Sequence, residues 1–300
     1  MNPLNTALVQ FIQILPRKIV RIFANRYIAG DKLQDAIDKV IYLNNRNIMA
    51  TMDVLGESIK DRNEAIASKD ESLKVLEAID KHKLNSNLSI KLTMLGLNLN
   101  YDFCLSLVRE IVSHAKSLNN FVRIDMEDSS VTDATINIYR DIREEFDNVG
   151  IVIQAYLRRS EEDIRKLTDE GANIRLCKGI YVEPESIAFK KKAEIRENFL
   201  RLLRIIFEKR TYVGIATHDD YLITQAYKMI KDYNLSQQEY EFQMLLGVRE
   251  NLRDKIVTDG HRMRIYTPFG NRWYQYSIRR FKENPNVAGQ ILKSILTGGR

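Results

Sequence analysis

Eight short apolar runs, alternating with longer charged and amphipathic stretches, constrain the fold of this 300-residue chain more than any other feature. Each run is rich in β-branched residues and is bounded by polar residues or glycine, as buried strands are. Strands that alternate with helices imply parallel pairing through right-handed crossovers. The predicted strands are residues 50–57, 88–95, 121–127, 150–157, 173–179, 213–218, 240–247 and 262–268.

The stretches between these runs carry helix start and stop signals. Ser160 is predicted as an N-cap with Asp163 at the capping-box position, and Gly171 ends that helix. Pro184 is predicted in the first turn of a longer helix that runs to residue 209. Two further helices are predicted over 132–146 and 219–233.

Eight strands with intervening helices fit the size of a (β/α)₈ barrel, with a doubly wound open sheet as the main alternative. Because no linker, low-complexity segment or internal repeat interrupts the pattern, residues 1–300 are interpreted as one domain. Residues 1–45 form a predicted N-terminal helical extension, and the barrel is predicted to begin at residue 50.

The composition excludes several classes of protein. Two cysteines, Cys104 and Cys177, form no CxxC pair, which is typical of a reducing compartment. No apolar run is long enough to span a bilayer, and no GxGxxG, P-loop or GxSxG motif is present. A metal site is not expected, since the four histidines show no ligand spacing.

Positive charge is concentrated near the N-terminus. The net charge is +6, and residues 1–30 contain Arg17, Lys18, Arg21 and Arg26 without any acidic residue. Three interpretations stay open: a transit peptide, an amphipathic helix at a membrane interface, or a packed helix with exposed basic residues.

A barrel predicts that functional groups gather at the C-terminal ends of its strands. Charged and polar residues stand at those ends, where a buried strand should be apolar. They are Asp53, Glu57, Lys91, Asp125, Glu127, Gln154, Arg175, Lys178, Thr217, His218, Gln243 and Tyr266.

These residue types predict a cationic mouth with flat apolar walls, suited to a small carboxylate ligand with a ring or to an aromatic cofactor. The adjacent Arg279 and Arg280 add to the positive charge, and Glu283 is a counter-charge. At this point an aldolase with a Schiff-base Lys91 or Lys178 remains an alternative, as does a basic module that binds polyanions.

Nine segments, in order along the chain, resemble the proline dehydrogenase family, particularly its short monofunctional bacterial form. They are RYIAG (26–30), DVLGE (53–57), SIKLT (89–93), RIDME (123–127), IQAYL (153–157), RLCKGIY (175–181), ATHD (216–219), YEFQMLLGVR (240–249) and RIYTPFGNRWYQYSIRRFKENP (264–285). One such segment would be weak, but nine in register are specific.

The resemblance implies a distorted (β/α)₈ barrel that binds FAD, with a lid helix after the last strand. It implies oxidation of L-proline to Δ1-pyrroline-5-carboxylate by hydride transfer to flavin N5, the first step of proline catabolism to glutamate. Electrons would pass to a membrane quinone, and a separate pyrroline-5-carboxylate dehydrogenase would take the product. The implied location is the cytoplasm with peripheral contact at the inner membrane face, or the mitochondrial matrix of a eukaryote; no nucleic acid is implied.

The resemblance also implies roles for individual residues, and it predicts a hydrogen bond between Asp125 and a tyrosine or an arginine. The implied catalytic residues are Asp125 and Arg175. The implied proline-binding residues are Lys91, Tyr266, Tyr276, Arg279, Arg280 and Glu283. The implied FAD-binding residues are Met126, Gln154, Arg175, Lys178, Gly179, Ile180, Tyr181, Thr217 and His218. Ile180 departs from the family, which usually has alanine there, and Tyr266 favours proline over hydroxyproline.

Overall fold

Eight parallel strands close into one barrel in sequence order in a computed structural model that describes residues 21, 24–56 and 59–274. The strands are β1 (Met49–Val54), β2 (Ser86–Ile90), β3 (Val122–Ile124), β4 (Val149–Gln154), β5 (Ile174–Cys177), β6 (Val213–Ala216), β7 (Tyr240–Leu245) and β8 (Met263–Phe269). β8 pairs with β1 in parallel, so the barrel is confirmed and the open sheet is wrong. All eight predicted strands are confirmed in position.

Amphipathic helices cover the outside of the barrel. The helices are α1 (Leu33–Asn44), α2 (Arg62–Lys81), α3 (Tyr101–Ser117), α4 (Thr132–Arg143), α5 (Ser160–Asp169), α6 (Lys192–Glu208), α7 (Asp220–Asp232) and α8 (Glu250–Thr258). α2 to α8 each join two consecutive strands, which gives the right-handed crossovers expected of parallel pairing. No helix in these described residues is long and apolar enough to cross a membrane.

α1 distorts the regular barrel pattern. In a regular (β/α)₈ barrel each strand is followed by a helix, so the gap between β8 and β1 belongs to the last helix. Here α1, which precedes β1, packs against both β1 and β8. Its buried residues Ala36, Ile37, Val40 and Leu43 recur at the spacing of one helix face. The predicted lid helix and the segment 1–20 lie outside the described residues.

Two predicted element boundaries are wrong. β2 ends at Ile90, and Leu92–Leu95 form a 3₁₀ helix rather than more strand, because β3 ends at Ile124 and offers no further partner. α6 begins at Lys192 rather than near Pro184. Residues 187–189 instead hydrogen-bond to the loop after β4, where Arg158 N donates to Ile187 O and Phe189 N donates to Tyr156 O.

The predicted cap of α5 is partly wrong. The N-cap is Arg159, and the Ser160 hydroxyl donates to the carbonyl of Gln154 at 2.5 Å, which ties the helix to the end of β4. The predicted stop is confirmed, because Gly171 has a φ of +70° and follows the last turn.

Polar residues fill the inside of this barrel. In many (β/α)₈ barrels the interior consists of layers of branched apolar side chains. Here Arg175 on β5 hydrogen-bonds to residues of β2, β3 and β7, and these contacts must cross the lumen. The buried lumen residues include Thr51, Asp53, Asn87, Ser89, Arg123, Asp125, Arg175, Glu241 and Gln243. Because buried polar groups are costly unless they are satisfied, this interior points to a function beyond folding.

Candidate active site

Lys91 stands at the C-terminal end of β2 and contacts three predicted strand-end residues. Its Nζ donates to Asp53 Oδ1 at 2.6 Å, to the Tyr266 hydroxyl at 3.0 Å and to Asp125 Oδ2 at 3.4 Å. Burial alone would lower the pKa of Lys91, but the two carboxylates more than offset this and raise it. Lys91 is therefore a fixed positive charge at the barrel mouth.

Asp125, at the end of β3, joins a tyrosine to an arginine. Its Oδ2 accepts from the Tyr266 hydroxyl at 2.8 Å, and its Oδ1 accepts from Arg175 Nη1 at 2.7 Å. Burial would raise the pKa of Asp125, but Lys91 and Arg175 lower it, so the group is a carboxylate at neutral pH. The predicted hydrogen bond to a tyrosine or an arginine is confirmed for both.

Arg175 lies deeper in the lumen and is held from several sides. Its Nε donates to Gln243 Oε1 at 2.5 Å, and Nη1 also donates to the Ser89 hydroxyl at 3.2 Å. The guanidinium carbon is 5.5 Å from the centre of the Tyr266 ring, and Lys91 Nζ is 5.7 Å from it. The tyrosine ring is therefore flanked by two cations and fixed in orientation.

Within the described residues, the mouth is less cationic than predicted. The prediction balanced the cations against Asp125, Glu127 and Glu283, but the strongest contact of Lys91 is with Asp53. Lys91 and Arg175 are thus matched by two carboxylates, and burial raises the pKa of Asp53, with a smaller contribution from Asp125. Surplus positive charge for a carboxylate ligand would have to come from Arg279 and Arg280.

Gln154, at the end of β4, has a buried acceptor that suits a ring N–H group. Its Nε2 donates to the carbonyl of Glu127 at 2.7 Å, while its Oε1 is buried without a partner among residues 24–56 and 59–274. The side chain of Glu127 accepts from the backbone N–H of Thr93 at 3.0 Å and from its hydroxyl at 2.5 Å. A planar cofactor that presents an N–H would satisfy this amide oxygen.

The loop after β5 packs closely against the ring of Tyr156. Gly179 has a φ of +101°, and a Cβ there would lie 2.0 Å from an atom of the Tyr156 ring. Glycine is required on both counts. The loop is anchored by Glu183, whose carboxylate accepts from the backbone N–H and the hydroxyl of Ser129, both at 2.7 Å.

A second group of predicted cofactor residues meets at Asp219. Lys178 Nζ lies 3.4 Å from its carboxylate, which Arg196 binds through two nitrogens at 2.9 and 2.7 Å. The hydroxyl of Thr217 accepts from Asp219 N at 3.2 Å. Nε2 of His218 accepts from the backbone N–H of Leu245 at 2.9 Å.

The remaining predicted residues fall into two sets. Met126 is buried at the mouth, Ile180 is 40% exposed and Tyr181 is partly exposed on the loop after β5. The predicted residues that lie outside the described part of the chain are Glu57, Tyr276, Arg279, Arg280 and Glu283. Their roles stay predictions.

Three contributors to the mouth had no predicted role: Asp53 and Gln243 were predicted only as strand-end residues, and Ser89 was not predicted. Asp53 pairs with Lys91, Ser89 donates to Asp125 at 3.2 Å, and Gln243 holds Arg175. Each lies two residues from another polar residue of its own strand, so the period-two spacing of lumen positions was an available signal. Within the described ranges, no cluster of three or more histidine, cysteine or acidic residues is arranged to hold a metal ion.

Comparison with known proteins identifies the family and agrees with the fold. The family model described as proline dehydrogenase matches residues 36–293. Proline dehydrogenase 1 of Bacillus subtilis strain 168 is 40% identical over 276 residues, which are 92% of this chain and 91% of that protein. Proline dehydrogenase of Deinococcus radiodurans is 33% identical over 292 residues, which are 96% of this chain and 94% of that protein.

Among solved structures, proline utilization A (PutA) of Bdellovibrio bacteriovorus, inactivated by N-propargylglycine, matches with a TM-score of 0.81 at 25% identity. The match covers 87% of this chain and 33% of that chain. The family that these relatives define consists of oxidoreductases that act on a CH–NH group. The chain belongs to the proline dehydrogenase family, in its monofunctional form.

Proposed function

We propose that this chain oxidises L-proline to Δ1-pyrroline-5-carboxylate with FAD as its cofactor. When bound, the flavin supplies the hydride acceptor, N5, and the means of passing electrons on to a quinone. The observation that carries the proposal is the Tyr266–Asp125–Arg175 arrangement beside the unsatisfied amide oxygen of Gln154. It combines a flat wall for a small ring, a fixed cation and a hydrogen-bond acceptor at the catalytic end of a barrel.

The residues that would hold the flavin are those of the second half of the barrel. Gln154 would accept from the ring system, and Gly179 would let the backbone of the β5 loop approach the cofactor closely. Lys178 and His218 would contact its dinucleotide part, with Asp219 holding the lysine in place. Arg175 would favour negative charge on the reduced cofactor, because its guanidinium is buried and already oriented.

Tyr266 is the proposed wall for the proline ring. Its hydroxyl is fixed by Asp125 and Lys91, so the ring cannot rotate away without breaking two hydrogen bonds. Arg279 and Arg280 are proposed to bind the substrate carboxylate through paired hydrogen bonds, with Glu283 as their counter-charge. Cations near the bound amine would lower its pKa and favour the neutral form that can lose a hydride.

The paired state of Lys91 argues against an aldolase. A Schiff-base lysine must lose its proton to attack a carbonyl. Asp53 and Asp125 instead stabilise the protonated form of Lys91. The lysine is better suited to fix Tyr266 and the two carboxylates than to act as a nucleophile.

The electron acceptor, the downstream enzyme and the membrane contact are also proposals. Electrons would leave through a quinone, and a separate pyrroline-5-carboxylate dehydrogenase would consume the product. Peripheral membrane contact from the cytoplasmic side is supported by the basic, acid-free composition of residues 1–30.

Anaerobic mixing of the purified protein with L-proline and a panel of other imino acids tests the proposal. We expect a yellow protein whose flavin absorbance bleaches with proline, and more slowly with hydroxyproline. A protein that carries no flavin after reconstitution with FAD would overturn the proposal, and flavin that proline fails to bleach would exclude proline as the substrate.

A further inference from the structure

A polar cavity of about 300 Å³ lies at the N-terminal end of the barrel, opposite the candidate active site. It is lined by residues that precede or begin strands, among them Asn87 on β2, Arg123 on β3, Asn173 before β5, Glu241 on β7 and Arg264 on β8. Phe121 is an apolar lining residue, and its ring lies 5.0 Å from the Arg123 guanidinium carbon. A pocket so rich in amide and guanidinium donors is unusual for the base of a barrel.

The single carboxylate in this cavity is already engaged. Glu241 accepts from Arg264 Nε at 2.6 Å and Nη2 at 3.1 Å, and from Gln243 Nε2 at 2.6 Å. Arg262 adds a further positive charge 3.9 Å away. Glu241 therefore forms its ion pair with Arg264 and acts on Arg123 only at longer range.

Arg123 also lines the cavity, and its hydrogen-bond partners are neutral oxygens. Its Nη1 donates to the carbonyls of Asn173 at 2.6 Å and Ile151 at 3.2 Å, and its Nη2 donates to Asn173 Oδ1 at 2.5 Å. In the part of the chain that the structure describes, no carboxylate forms an ion pair with it, and Nε is buried without an acceptor. Burial, and then the nearby Arg175, lower the pKa of Arg123 to about 9.

Asn87 provides a second donor without an acceptor. Its Oδ1 accepts from the Thr51 hydroxyl at 2.5 Å, so the amide orientation is set and Nδ2 is left to face the cavity. Nδ2 makes no hydrogen bond within the ranges 24–56 and 59–274. Water could accept these protons, but it would leave the positive charge of Arg123 without a counter-charge.

We propose that this cavity binds a small oxyanion, either a carboxylate or a phosphate, through Arg123 and Asn87. The second Nη2 proton of Arg123 and the amide of Asn87 would each donate to an oxygen of such an anion, and the guanidinium charge would be neutralised by it. The cavity is large enough for an anion of this size together with a few water molecules. The site is separate from the proposed proline carboxylate site, which lies at the other end of the barrel.

Calorimetric titration of the full-length protein with inorganic phosphate, and separately with succinate, at constant ionic strength tests the proposal. We expect saturable binding of at least one anion; phosphate alone would indicate a tetrahedral ligand and succinate alone a carboxylate. Absence of saturable binding by both would overturn the proposal.

Asn87→Asp is the decisive variant. The aspartate keeps an acceptor for Thr51 but places a negative charge beside Arg123, so we expect anion affinity to fall by about tenfold or more. Asn137→Asp makes the same change on the exposed face of α4 and should leave the affinity unchanged. Equal losses in both variants would show a non-specific charge effect and contradict the proposed site.

Arg280→Ala separates the cavity from the active site. If the anion binds at the N-terminal end, this variant binds it as well as the unchanged protein does. If binding disappears with Arg280, the anion occupies the proline carboxylate site and the cavity proposal is wrong. These titrations do not depend on flavin bleaching, so they can fail or succeed independently of the proposed oxidation of proline.

Discussion

The two ends of the barrel lumen solve the problem of buried charge differently. At the C-terminal end, Lys91 and Arg175 each meet a carboxylate within 2.7 Å, and Tyr266 lies between them. At the N-terminal end, Arg264 has Glu241, whereas Arg123 has backbone and amide oxygens only. The difference indicates that the first end is preorganised by its own residues, while the second end keeps a charge that an external anion could neutralise.

One amide connects the two ends. Gln243 accepts from Arg175 through Oε1 and donates to Glu241 through Nε2, so the two charged neighbours define its orientation. Gly214 on β6 makes room for it, since a Cβ there would lie 2.3 Å from Gln243 Nε2. Arg175 is thus positioned by a chain of contacts that ends at the N-terminal ion pair.

The largest expected effect comes from breaking that ion pair. Glu241→Gln leaves Arg264 buried without a counter-charge, so the free energy of unfolding should fall by about 3–5 kcal/mol at pH 7. Urea unfolding measures the change. Glu197→Gln, which removes an exposed carboxylate from α6, should cost less than about 0.5 kcal/mol; similar losses in both variants would contradict a special role for Glu241.

The pH dependence sharpens this prediction. Burial would raise the pKa of Glu241, but Arg264 lowers it from 4.5 to about 2. Because the pKa of Glu241 is lower in the folded than in the unfolded protein, its ion pair contributes fully to stability above about pH 4.5. This contribution is lost as the pH falls toward 2. The difference in stability between the unchanged protein and Glu241→Gln should therefore narrow over that interval. A difference that stays constant from pH 5 to pH 2.5 would contradict the assignment.

Asp125→Asn tests the C-terminal end. The variant keeps the size of the side chain but removes the charge that Lys91 and Arg175 share, so we expect a roughly 100-fold loss in kcat/KM. Rapid-mixing measurement of flavin reduction by proline separates the chemical step from binding. Asp102→Asn, on an exposed position of α3, is the matched control and should retain full activity. Retention of activity in Asp125→Asn would show that Tyr266 and Arg175 need no shared carboxylate.

Gly214→Ala tests the connection between the ends and should have a smaller effect. The added methyl group displaces Gln243 and so loosens Arg175, and we expect about a tenfold loss of kcat with a shifted flavin reduction potential. Gly171→Ala is the control, because it strains the backbone at a φ of +70° with no atom near the added Cβ. It should lower stability by about 1 kcal/mol and leave the potential unchanged. An unchanged potential in Gly214→Ala would mean that Gln243 does not position Arg175.

Sequence patterns predicted the fold well because each barrel strand is buried on both faces and is therefore visible in the sequence as a short apolar run. They failed at residues 91–95 and 184–191, where the chain follows contacts with distant loops rather than its own periodicity. For the site, strand-end positions predicted Lys91, Asp125, Arg175 and Tyr266 as neighbours. Asp53 and Gln243 were predicted at strand ends without a role, because their roles depend on which residues face them across the lumen.

α1 contributes to the barrel wall from the N-terminal side of the sequence. The gap between the last and first strands is covered by a helix that precedes the barrel, so the wall is complete before the residues beyond 274 are counted. The proposed carboxylate-binding residues Arg279 and Arg280, with Glu283, follow this part of the chain in sequence. The pairing of β8 with β1 uses residues up to 269, so we expect substitutions at the three proposed residues to alter ligand selectivity without weakening that pairing.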